Sequence, residues 1–157
     1  MVVVNAQWSK NPWNVYKFPG RMEVEKYVYT PGLHGLEFAK ALKEGRIVGT
    51  KCGDTVYVPP TTFCPDMSRG EVAEVLGPWY IESYTIVYES LDGKPLEKPV
   101  VIAVIAPEDA EGALVHYVDA DPDEVYIGMP VEPVFKPPEE RSGNILDILH
   151  FKPTAQS

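Results

Sequence analysis

Gly49-Thr50-Lys51-Cys52-Gly53-Asp54-Thr55-Val56-Tyr57-Val58-Pro59-Pro60-Thr61-Thr62-Phe63-Cys64-Pro65-Asp66-Met67 is the stretch on which the reading of this chain turns. It has the form of two zinc-ribbon knuckles, each short of one ligand. A full ribbon repeats Cys-x-x-Cys, because each tight turn directs two thiolates at one tetrahedral Zn²⁺. Here Cys52 takes the second ligand place of the first knuckle, and Gly49 stands where its partner belongs. Cys64 opens the second knuckle, and Met67 occupies the fourth place. Two thiolates alone make a poor structural zinc site. Three states stay open for the pair: reduced thiols, a Cys52–Cys64 disulfide closed by the folded knuckles, or zinc completed by Asp54, Asp66 or His34.

On the N-terminal side, Leu33, Leu36, Ala39 and Leu42 recur at steps of three, with Phe38 and Ala41 widening the stripe. That periodicity predicts an amphipathic helix. Pro31 suits its first turn and Gly45 its left-handed stop. Residues 1–29 carry Trp8, Trp13, Tyr16, Phe18, Tyr27 and Tyr29 among Lys10, Lys17, Arg21 and Lys26, broken by Pro12, Pro19 and Gly20. They read as an extended arm with at most a short helix. An arm this aromatic is expected to pack on its own domain or on a partner.

Beyond the knuckles the pattern is that of strands. Val72–Val75 and Trp79–Glu89 alternate, and Leu91-Asp92-Gly93-Lys94 reads as a turn. Val100–Ala106 is continuously apolar, as in a strand buried on both faces, and Leu114–Val118 follows as the barrel's third strand. Asp119-Ala120-Asp121-Pro122-Asp123-Glu124 reads as a turn with a short helical start, N-capped at Asp121-Pro122-Asp123, and Gly128-Met129-Pro130 as a tight turn. Val131–Phe135 and Ile145–Phe151 are the last two strands, on either side of the polar loop Pro137–Gly143. Five strands with a longer third-to-fourth connection fit a small OB-type barrel. The fold class expected is mainly β: arm and helix over 1–45, degenerate ribbon over 46–70, five-stranded OB-fold barrel over 71–153.

In order and spacing these pieces resemble the OB-fold acyl-CoA-associated proteins known as domain of unknown function 35. The likeness runs over roughly residues 30–152. It passes through Tyr29-Thr30-Pro31-Gly32, the Phe38…Leu42…Gly45 helix, the Cys-Gly…Val-Pro-Pro…Phe-Cys-Pro core, and Ser83-Tyr84-Thr85. It goes on through Asp121-Pro122-Asp123 and Ile127-Gly128-Met129-Pro130-Val131 to Phe151-Lys152-Pro153. That resemblance implies a rubredoxin-like ribbon joined to an OB barrel. It also implies a non-catalytic subunit of a thiolase-like condensing enzyme, with hydroxymethylglutaryl-CoA synthase and acyl-CoA hydratase or aldolase as further family partners. The implied ligand is a coenzyme A thioester, with no group held tightly.

The net charge of −9 is unevenly spread: residues 1–52 carry +4 and residues 53–157 carry −13. An acidic barrel repels a phosphate backbone, whose neutralisation supplies most non-specific nucleic-acid affinity. An OB-fold nucleic-acid binder is therefore the lesser reading. Phosphate contacts are expected in the basic half, where Lys10, Trp13, Lys17, Arg21, Lys26 and Lys51 offer cations and a stacking surface suited to CoA. The competing view of these residues is that the aromatics only anchor the arm and the lysines are solvated.

Enzyme machinery is not legible. The chain has no Gly-x-Ser-x-Gly elbow, no Walker loop and no Gly-x-Gly-x-x-Gly. His34, His116 and His150 fall on separate elements, and His116 reads as a surface or satisfied-core residue. The acids Asp119, Asp121, Asp123 and Glu124 lack the glycine and terminal glutamate of a calcium loop. Cys52 and Cys64 have only Lys51 as a sequence neighbour that lowers a thiol pKa. No apolar run approaches the length of about 18 residues that a membrane helix needs. Without a basic and apolar leader pattern, a cytoplasmic protein is the expectation.

Overall fold

The computed structural model describes residues 30–154. Helix α1 (Gly32–Glu44) starts after Pro31 and ends at Gly45, whose φ of 81° places it in the left-handed region. There the Gly45 N–H bonds back to Leu42 O at 3.0 Å and Arg46 N to Ala41 O at 2.9 Å, a standard glycine stop. The C-terminal half of the expected stripe is buried, and its first two leucines are not. His34, Ala41 and Leu42 are buried and Phe38 packs against the core, whereas Leu33 and Leu36 remain about half exposed.

Three short strands follow from the knuckle region. β1 (Val48–Cys52) and β2 (Thr55–Val58) form a tight antiparallel hairpin, with Cys52 opposite Thr55. β3 (Glu71–Glu74) pairs with β1 on its other edge, so this segment belongs to the ribbon sheet and not, as expected, to the barrel. The reason is register: Val48 to Lys51 offer a free edge that Glu71–Glu74 completes. Pro59 and Pro60, without N–H groups, end β2 as expected.

Next comes a closed barrel built from β4 (Trp79–Glu89), β5 (Pro95–Pro107), β7 (Leu114–Val118), β8 (Pro130–Phe135) and β9 (Ile148–Pro153), in the order β4-β5-β7-β9-β8. Its five strands in this order are the OB arrangement. The two-residue β6 (Glu111–Gly112) leaves the β5–β7 hairpin to pair in parallel with β2, which ties barrel to ribbon. One apolar core runs through both, from Leu42, Ile47 and Val58 to Trp79, Ile105, Ile148 and Phe151. The Trp79 and Phe151 rings meet at 5.7 Å near its centre.

Three further local expectations change. Residues 121–124 form the expected turn but do not start a helix: Asp121 Oδ1 accepts the Asp123 N–H at 3.0 Å, and Glu124 N reaches Asp121 O. Ile145–Asp147 is a 3-10 turn, so the last strand begins at Ile148. Most consequential is β5, which alternates strictly. Val101, Ala103 and Ile105 point into the core, and Val100, Ile102 and Val104 lie half-buried on the outer wall. Its unbroken apolar run reflects an apolar outer surface, not burial on both faces.

Candidate functional site

At the tip of the β1–β2 hairpin, Cys52 is joined to Cys64 by a disulfide, with 5.7 Å between their Cα atoms. Of the three states left open for these cysteines, this is the one the fold contains. The second knuckle keeps its backbone turn. Met67 N–H bonds to Cys64 O at 2.9 Å, Cys64 N–H bonds to Ser68 O at 2.8 Å, and Met67 takes a φ of 68°. The Met67 side chain projects into solvent, 77 % exposed. At the first knuckle Gly49 is buried in the hairpin, and a Cβ there would lie 2.5 Å from Tyr57 O and 2.7 Å from Val56 Cγ1.

Two of the three side chains considered as replacement ligands are engaged elsewhere. His34 is buried with Nδ1 at 2.7 Å from Thr61 O and 3.0 Å from Thr50 Oγ1, a geometry that puts its proton on Nδ1. Thr50 Oγ1 in turn donates to Thr61 O at 2.6 Å and accepts from Thr61 N at 3.0 Å. Asp66 accepts from Ser68 Oγ at 2.6 Å and Ser68 N at 3.0 Å, and these two bonds, the hydroxyl's first, hold its carboxyl below the usual range. Asp54 is exposed at the hairpin turn. Among the described residues, no three His, Cys, Asp or Glu side chains converge on a point that holds a metal ion.

The second feature lies on the barrel. Residues directly opposite one another on the outer wall form two cross-strand rows, Ser83–Val104–Val115 and Thr85–Ile102–Tyr117. Val115 is 65 % exposed and Tyr117 46 %. Antiparallel sheets that face water usually alternate polar side chains outward, and the β5–β7 wall departs from that pattern. At one end of that wall a groove of about 800 Å³ opens between β5, the end of β7 and β9. Lys98, Val100, Tyr117, Asp119, Leu149 and His150 line it, and His150 Nε2 stands 3.8 Å from Asp119 Oδ2. The groove is thus apolar along its walls and charged with both signs at its rim.

Beneath it, His116 closes the barrel seam. Its Nδ1 accepts the Tyr117 N–H at 2.9 Å, while Nε2 faces Ile145 O at 3.2 Å and donates to it. Both nitrogens are used by the neutral ring, and burial pushes its pKa below the ordinary 6.5. His116 is therefore a satisfied core residue, one of the two roles its sequence setting suggests.

Of the sequence-predicted site residues, Lys10, Trp13, Lys17, Arg21 and Lys26 lie outside the described residues. Lys51 is exposed on β1, opposite Val56 and Glu71. Cys52 and Cys64 come together as a cystine. Sequence reading passed over the groove and the His34–Thr50–Thr61 node. The alternation Leu114-Val115-His116-Tyr117-Val118 carried the signal for an exposed Val115/Tyr117 pair; nothing in the sequence links residues 34, 50 and 61.

Residues 39–73 match the family description "ChsH2, rubredoxin-like zinc ribbon domain" and residues 80–136 "ChsH2, C-terminal OB-fold domain". Two curated relatives are each named a DUF35 domain-containing scaffold protein. One, from Methanocaldococcus jannaschii, is 33 % identical over 57 % of this chain and 67 % of its own length. The other, from Methanothermobacter thermautotrophicus, is 32 % identical over 68 % of this chain and 86 % of its own. A crystal structure of a DUF35-family protein of unknown function from Sulfolobus solfataricus superposes with a TM-score of 0.59 at 30 % identity, covering 66 % of this chain and 78 % of that one. A structure described as Ltp2-ChsH2(DUF35) aldolase shares the fold, with a TM-score of 0.56 at 24 % identity over 74 % of this chain and 91 % of that one. The zinc that the ribbon's description implies does not fit this chain's residues: two of four ligand places are Gly49 and Met67, and the two sulfurs present are bonded to each other.

Proposed function

Because the chain belongs to the DUF35 family of scaffold proteins, we propose that it is a non-catalytic subunit that docks on a thiolase-like condensing enzyme and helps to bind or channel its CoA thioester. The observation that carries this reading is the apolar outer wall of β5 and β7, with Val115 and Tyr117 exposed beside half-buried Ile102 and Val104 among the described residues. Exposed apolar surface of this kind marks protein contacts. Acidic residues dominate the barrel half, at −13 over residues 53–157, so the partner face it suits is apolar at the centre and basic at the rim.

In this reading the chemistry belongs to the partner's nucleophile, and this chain supplies position. The groove beside Tyr117 falls in the size range of small-ligand sites, and its Val100 and Leu149 walls suit an acyl or pantetheine chain, with Lys98 at the rim for a phosphate. Hydroxymethylglutaryl-CoA synthase and acyl-CoA hydratase or aldolase are partners of the same chemical class. A polynucleotide is the competing ligand, suggested by exposed Tyr84, Tyr88 and Tyr117 on an OB barrel, and the acidic charge opposes it.

The test is an affinity capture from native lysate with the full chain as bait and mass spectrometry of what is bound. A thiolase-like enzyme retained in moderate salt is the expected result. Recovery of nucleic acid or ribosomal proteins, lost steeply with salt, would overturn the reading.

A further inference from the structure

A zinc ribbon uses its metal for a mechanical purpose: the ion ties two knuckles that are too small to hold together by burial alone. In this chain the same two knuckles are tied without it. The Cys52–Cys64 bond links the β1–β2 turn directly to the Phe63–Met67 loop. Behind it, fully buried Thr50 and buried His34 bind Thr61 through both its N–H and its carbonyl, joining α1, β1 and the segment after β2. Every buried side-chain nitrogen and oxygen among the described residues has a hydrogen-bond partner, so the node is complete as it stands.

The two missing ligands differ in kind. Met67 keeps the ligand's place on the turn but points outward. Gly49 leaves no place at all, since a side chain there would run into the Tyr57 carbonyl on the paired strand. Restoring a thiolate at 49 would force the hairpin apart, so the strand pairing and a metal shell exclude each other at that position. Gly70 shows the same tightness, for an added Cβ would sit 3.1 Å from Cys64 Sγ.

We propose that this ribbon is a metal-free member of its fold, in which the Cys52–Cys64 disulfide and the buried His34–Thr50–Thr61 node take over the ion's work. Its integrity then depends on thiol oxidation and is indifferent to chelators. This holds whatever enzyme the chain serves, because it concerns only the ribbon's own residues.

The experiment uses the full chain purified without reductant. Intact mass after denaturation and iodoacetamide treatment should show no alkylation, and two carbamidomethyl groups once a phosphine reductant has been added. That step takes up one water and converts the S–S bond to two S–H groups, as the phosphine becomes its oxide. Elemental analysis should find well under one zinc per chain. EDTA should leave the melting temperature unchanged, and the phosphine should lower it by on the order of 5–15 °C, as expected for opening a loop of this length in a domain of this size. Alkylation of both thiols before reduction would overturn the proposal. So would stoichiometric zinc whose removal by EDTA lowers the melting temperature. Chemical reduction reads the cross-link's contribution even where a Cys64→Ser chain fails to fold.

Discussion

The carboxylate of Asp147, fully buried in the turn that leads into β9, accepts the Gly143 N–H at 2.6 Å. It also receives the Ser142 N–H at 3.0 Å and the Asn144 N–H at 3.2 Å, while Asn144 Oδ1 accepts the Leu146 N–H. One side chain thus satisfies three consecutive amides of the loop that closes the barrel. Burial alone would raise its pKa, and that is the largest single influence. The three amides and Lys136 together outweigh it and leave the carboxyl below its ordinary value.

A folded pKa below the unfolded one means that the Asp147 contribution is complete above about pH 4 and is lost as pH falls through the folded value. Asp147→Asn presents an NH₂ group to amides that need an acceptor. It should cost about 1–3 kcal/mol at neutral pH. Urea unfolding at pH 7 and pH 3 reads both effects, with a smaller acid loss expected in the variant. Equal midpoints at pH 7 would contradict the role given to this carboxylate.

His116 should make the fold sensitive to mild acid. Its pKa is lowered by burial, with the backbone bonds to Ile145 and Tyr117 opposing and the charge of His150 adding to the depression. The folded state therefore takes up its proton at lower pH than the unfolded chain. Its contribution is complete above about pH 6.5 and declines as pH falls through the folded pKa. Protonation at Nδ1 removes the acceptor of the Tyr117 N–H. His116→Phe should be less stable at pH 8 yet show a flatter melting temperature between pH 7 and 5; an unchanged slope would count against this assignment.

Gly112 is one of the points where the barrel meets the ribbon. It has a φ of 97°, and an added Cβ would fall on the Val58 carbonyl oxygen across the parallel β2–β6 pair. Gly112→Ala should cost about 1–3 kcal/mol, typical of backbone strain. Hydrogen exchange should accelerate at Tyr57 and Val58 before it does in the barrel strands. A melting curve identical to that of the parent chain would refute it.

On the outer wall the expectation is reversed. Tyr117→Lys adds a charge to an exposed position, so stability should change by no more than about 0.5 kcal/mol. Affinity for the partner enzyme should fall roughly tenfold or more if the β5–β7 wall is the docking face. Measuring both on one preparation separates the roles, and full binding with intact stability would move the interface elsewhere.

Local signals in the sequence were reliable where one residue type has one physical use. Gly45 could end α1 because only glycine enters the left-handed region without cost, and Pro59-Pro60 could end β2 because neither has an N–H to give. The five barrel strands and their order of appearance followed from apolar runs separated by turns. Their long-range settings did not. Whether Glu71–Glu74 completes the ribbon or opens the barrel depends on which edge is free, a property of β1 and not of residues 71–74. Whether Val100, Ile102 and Val104 lie inside or outside depends on what stacks against β5, since an apolar run is the same string in either case.

The cysteines mark the same division. The sequence by itself established that two ligand places of a zinc ribbon hold Gly49 and Met67, because identity at a spaced position is a local fact. That Cys52 and Cys64 meet as a disulfide, that His34 turns to Thr50 and Thr61, and that Gly49 has no room for a side chain were settled only by tertiary structure. Each is a distance between residues not adjacent in sequence, and such distances are set by how helix, hairpin and the loop after β2 pair and pack.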